Sequence, residues 1–259
     1  MNKYKGEIFL HIHLQSNKII TNFAKIFIFN MYHPMGKQEP NYREELQKAR
    51  LAAQAINELH GYPDEIDAYW EVVCGTVVVA EYDLHEQDQL WEIASLAREL
   101  LQYARPLEQF DHMLDKLYSA TKRMIDALSD HPRLKAELLE FEILIMDRVE
   151  AQQMGRGNLS TYLREDLAAL QANIRLADEG RLSEIPQKGH LKSDPVEWSA
   201  RWEEIIDEAD KKVYELLADC PRGMGFCHAF WHTRTEVLLN DYDLEWCSPS
   251  AMNPRVMFD

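Results

Sequence analysis

The stretch "VVCGTVVVAEY", residues 72–82, decides the fold. Its β-branched residues favour a strand, and Gly75 weakens a helix. Against this, Ile66, Trp70, Val73 and Val77 keep helical spacing through it, and no partner strand is visible nearby. A helix is therefore expected here, and the rest of the chain agrees with it.

Outward from this segment a 3.6-residue period dominates. Upstream, Leu46, Ala49, Ala52, Ala53, Ile56 and Leu59 mark one helix, closed by Gly61 with Pro63 just beyond. Downstream, Trp91, Leu96, Leu100 and Tyr103 mark a helix expected to end before Pro106. Leu107, Phe110, Leu114, Leu117, Thr121, Met124 and Leu128 step by three and four, which predicts one long amphipathic helix over 106–128. Residues 133–150 are apolar on several faces, as a buried helix would be, and another helix opens at Ser160. Asp194, Pro195 and Glu197 form a start signal: a cap, a proline at the first position and an acid three residues after the cap. The helix it opens would bury Trp198, Trp202, Ile205, Ala209, Val213 and Leu216. A last helix is read over 226–240.

These elements predict an all-α, multi-helix bundle of about eight helices with an extended C-terminal tail. The tail, "DYDLEWCSPSAMNPRVMFD", is expected to lie over the bundle, with turns at its two prolines. The expected division is a leader over 1–38, an N-terminal helical bundle over 39–178, a linker over 179–194, and a helical pair plus tail over 195–259, packed on the same bundle. The leader holds five lysines and one acidic residue, whereas the remainder has 23 basic and 43 acidic groups. It reads either as a basic arm docked on an acidic body or as sequence upstream of a start at Met31 or Met35. The second reading is favoured, and with it poor packing.

The 259 residues carry a net charge of −16 and a mean hydropathy of −0.42. That field repels phosphate backbones, so no nucleic acid is expected as a partner. No apolar run approaches a membrane span, so no membrane is expected either. Four cysteines and no secretory leader point to reduced thiols in the cytoplasm. No Gly-x-Ser-x-Gly elbow or Cys-x-x-Cys pair occurs. "MGRGNLS" (154–160) precedes a helix N-terminus, where an anion can bind, but reads more simply as a loop.

"CPRGMGFCHAFWHTRTEVLL", residues 220–239, holds the candidate chemistry. On a helix from Phe226, the residues Phe226, Cys227, Phe230, Trp231, Val237 and Leu238 fall on one arc and are read as core. His228 and His232, at i and i+4, lie on its shoulder and could share a zinc or iron ion. Cys220, Cys227 or His112 would complete the shell, His112 by packing across the bundle. The simpler reading has no cofactor. The function expected first is protein–protein interaction through Trp246 and an acidic helix face of Glu203, Glu204, Asp207 and Glu208, continuing to Asp210. A helical metalloprotein, such as a metal-dependent hydrolase, is the alternative.

Overall fold

A computed structural model describes residues 41–56, 58–152, 158–187 and 189–258. The leader over 1–38 and the glycines of "MGRG" lie outside them. Among the described residues there are nine α-helices and no strand, an all-α bundle as the periodicity implies. No helix among them is long and apolar enough to cross a membrane. The chain divides into two compact units, Met1–Val79 and Ala80–Asp259.

In the first unit, α1 (Tyr42–Gln54) is capped by Asn41, whose side chain accepts from Glu44 N at 3.2 Å. It buries Leu46, Ala49 and Ala53 and stops at Gln54, short of Leu59. The turn that follows is gathered by Glu65, whose carboxylate accepts from the backbone N–H groups of His60, Gly61 and Tyr62. Gly61 takes a positive φ of 90° there, a conformation that favours glycine. Then α2 (Pro63–Glu86) runs unbroken through 72–82. Val72, Val73, Val77, Val78 and Val79 are all buried, so the β-branched composition serves packing on several faces rather than a strand. Thr76 settles its buried hydroxyl by donating to Val73 O at 2.9 Å.

The second unit begins with the end of α2. Gln87 and Gln89 both have positive φ in the turn after it, and a 3-10 turn over Leu90–Glu92 leads into α3 (Ile93–Leu107). Pro106 sits inside the last turn of α3 rather than beyond it. The long helix expected over 106–128 is two elements. Leu107 ends α3, Phe110 is extended, Asp111–Met113 form a 3-10 turn, and α4 spans Leu114–Ala127. The apolar step survives because Leu107, Leu114, Leu117, Thr121, Met124 and Leu128 are all buried.

Next, α5 (Pro132–Gln152) and α6 (Leu159–Asp178) run antiparallel, joined along their length by Glu140–Gln171, Asp147–Arg164 and Glu150–Ser160. The Asp194 cap forms as read, accepting from Val196 N at 3.0 Å, but it opens a 3-10 turn over Pro195–Trp198. A second cap, Ser199, opens α7 (Ala200–Leu216). A loop then leads to α8 (Phe226–Tyr242). Trp202, Ile205, Ile206, Ala209 and Val213 of α7 pack with Val237 and Leu238 of α8 and with Trp246 from the tail.

The tail is pinned at several points. Cys247 N donates to Asp194 Oδ2 at 2.6 Å, a short helix α9 (Pro249–Met252) follows, and buried Asn253 exchanges hydrogen bonds with both backbone groups of Lys192. The segment 179–194 thus holds the tail in place within this unit.

Candidate functional site: an aromatic, acidic cleft

The helix α8 carries its main surprise at Arg234. At about 100° per residue, Arg234 falls in the middle of the apolar arc that includes Phe226, Phe230 and Leu238. It is buried there, with Nε donating to Asp210 Oδ1 at 2.7 Å and Nη2 to Asp210 Oδ2 at 2.5 Å. Nη2 also reaches Asp130 Oδ2 at 3.0 Å. The guanidinium lies over the rings of Trp246, Trp202 and Phe230, at 5.2, 5.3 and 5.4 Å from their centroids. Burial by itself would lower the Arg234 pKa, but the Asp210 and Asp130 carboxylates outweigh it and hold the group above its ordinary value. Burial pushes Asp210 the opposite way, upward, against the pull of Arg234. The two-point geometry decides for the ionised pair, because both carboxylate oxygens accept charge-assisted bonds.

Beside this pair opens a cleft of about 570 Å³. Trp91, Tyr214, Phe226, Phe230 and Trp231 line it. Tyr214 packs against Trp91 at 5.0 Å and edge-on against Phe230 at 5.2 Å. Burial pushes the Tyr214 hydroxyl up to about 12. The charged lining is four carboxylates (Glu86, Asp130, Asp207, Asp210) against two guanidiniums, Arg222 and Arg234. His131 also lines the cleft and is buried. Its Nε2 lies 3.0 Å from Asp207 Oδ1 but off a hydrogen-bonding direction, and has no other partner among the described residues.

The residues singled out in the sequence fall in different places. Trp246, read as an exposed contact, is only 5% exposed, and its Nε1 donates to Glu197 Oε1 at 2.8 Å inside the core. Burial raises the Glu197 carboxyl to about 7, although the indole hydrogen bond opposes this. The acidic face of α7 is not one solvated surface. Glu203 accepts from Arg133 N and Leu134 N, both at 2.9 Å, and so caps α5. Asp207 faces the cleft, Asp210 is in the core, and only Glu204 and Glu208 are exposed.

The expected ligand cluster is likewise dispersed. The Phe258 carbonyl accepts from His228 Nε2 at 3.1 Å, while exposed His232 lies 3.6 Å from Glu236 Oε1. His112 is exposed in the 3-10 turn before α4, beside Phe110, rather than on a helix crossing α8. Cys227 lines the cleft, and Cys220 sits in the loop before α8. Among the described residues no three His, Cys, Asp or Glu side chains are grouped to hold one ion. The chain matches no family model, no curated protein and no solved structure.

His131, Asp130 and Arg222 carry no motif and come from separate elements, so the sequence does not mark them, whereas Asp207 is marked only as one carboxylate of an acidic face. Arg234 did leave a signal, a lone guanidinium in the centre of an apolar arc.

Proposed function

We propose that the chain is a protein-interaction module that takes a basic side chain of its partner into the aromatic cleft. The observation that carries this reading is the lining itself: aromatic faces together with an excess of carboxylates. A cation over such faces is attracted by the ring quadrupoles, by about 0.5–2 kcal/mol depending on desolvation. Asp207, partly exposed and only loosely paired with Arg98 at 3.9 Å, is one acceptor that can meet it. The −16 net charge would favour the approach of a basic partner.

The test is calorimetric titration of the full chain with three capped tripeptides, centred on arginine, lysine and glutamate. Binding of the basic peptides, weakened by salt and by about tenfold in Asp207→Asn, supports the reading. Equal binding of the glutamate peptide, or no binding of the basic ones, overturns it.

A further inference from the structure

The mouth of the cleft already holds one cation of the chain's own. Arg222 lies in the loop between α7 and α8, two residues before Met224, which is almost fully exposed. Its guanidinium stands 4.9 Å from the Tyr214 ring centroid and 5.8 Å from that of Phe226. Nη1 donates to Gln87 O at 2.8 Å, and Nη2 to Asp88 Oδ1 at 3.1 Å. The Gln87 carbonyl also accepts from Tyr214 Oη at 3.3 Å. It is presented by a turn in which two non-glycine residues, Gln87 and Gln89, take φ of 53° and 51°. Such residues adopt the left-handed region uncommonly, so the turn is specifically held.

Arg234 shows the same recognition chemistry in a permanent form: aromatic faces around a guanidinium whose N–H groups reach separate oxygens. The difference lies in access. The Arg234 side chain is 8% exposed, whereas those of Arg222 and Asp88 are 41% and 44% exposed. An exposed ion pair is held weakly, which makes Arg222 a replaceable occupant. The two nitrogens of Arg222 use a carbonyl and a carboxylate set apart, which suits a planar fork better than a compact ammonium.

We propose that the subsite formed by Tyr214, Phe226, the Gln87 carbonyl and Asp88 is an arginine site, with Arg222 as the internal occupant that a partner's arginine displaces. The proposal rests on the cleft reading above and adds two things to it: selectivity for guanidinium over ammonium, and self-competition. Gly223 and Gly225 flank Met224 in the loop after Arg222, and neither has a neighbouring atom within 4 Å of where a side chain would begin, so the loop is not packed at these points.

The experiment titrates N-acetyl-arginine amide and N-acetyl-lysine amide into the wild-type chain, Arg222→Ala and Arg222→Gln, with circular dichroism and thermal midpoints as a check on folding. Both variants should bind the arginine probe about tenfold tighter than wild type, with a smaller gain for lysine. Wild-type and variant affinities that are equal, or an equal gain for lysine, overturn the proposal and leave the cleft reading standing if the basic tripeptides bind the wild type and lose affinity in Asp207→Asn. Failure of all probes and of those tripeptides removes both.

Discussion

Arg234 on α8 and Asp210 on α7 meet through two separate hydrogen bonds inside the core, and the same guanidinium reaches Asp130 at the entrance to α5. One side chain thus ties three elements, and three aromatic rings lie against it. Removing one partner of such a pair leaves an uncompensated buried charge. Arg234→Met should therefore destabilise the protein by about 3–5 kcal/mol in urea unfolding, and a second change, Asp210→Leu, should recover part of the loss. A double variant no more stable than the single one would sink this account of the pair.

Glu142 and Glu197 predict a pH dependence. Glu142 on α5 is buried, and its Oε1 has no hydrogen-bond partner among the described residues. Burial pushes its carboxyl from 4.5 up to about 7, and does the same for Glu197. Between these values the folded chain holds more protons than the unfolded one. Both residues therefore favour folding below about pH 4.5, and that contribution is lost as pH rises through about 7. Glu142→Gln and Glu197→Gln should each flatten the fall, raising stability at pH 8 relative to pH 5 on the order of 1–3 kcal/mol. Urea midpoints at the two pH values decide it, and parallel curves for wild type and variants would refute the assignment.

Where a local rule governs, the sequence was readable: the apolar steps of α4, the Asp194 cap and the helical spacing through Val73 and Val77 all appear in the structure. The break at 108–113 was not, because Phe110 and Leu114 keep a four-residue step across a segment whose backbone leaves the helix. The same limit hid the site. A helical wheel placed Phe226, Phe230 and Trp231 in the core, but a wheel does not say where a facing helix stops. The space beside these rings is open, and they line a cleft. Trp246 packs on the bundle as expected of the tail, but Glu197 and Trp202 bury it too deeply to serve as the partner contact.

Trp246 supplies a third prediction. Its ring packs 5.9 Å from Trp202 and lies over Arg234, so truncation opens a cavity and exposes a buried ion pair to water. Trp246→Ala should cost about 3–5 kcal/mol, and Trp246→Phe clearly less. The phenylalanine variant keeps most of the packing but leaves the Glu197 carboxyl without its indole donor, so its deficit should be larger at pH 8 than at pH 5. Urea unfolding at both pH values reads the difference, and a pH-independent deficit would contradict it.

Asp194 does two jobs with two oxygens. Oδ1 accepts from Val196 N at 3.0 Å and caps the turn before α7, while Oδ2 accepts from Cys247 N at 2.6 Å and anchors the tail. The two roles separate by substitution. Asn at this position keeps one oxygen for the cap but presents an amide N–H₂ to Cys247 N, two donors face to face. Asp194→Asn should thus lose the anchor alone, about 0.5–1.5 kcal/mol, and Asp194→Ala both, about 1–3 kcal/mol. Limited proteolysis distinguishes the two losses. Cleavage after Cys247 should accelerate in both variants, whereas cleavage near Pro195–Trp198 should accelerate only in Asp194→Ala. If the tail in Asp194→Asn resists protease as the wild type does, Asn253 and its bonds to Lys192 hold the tail without help from Asp194.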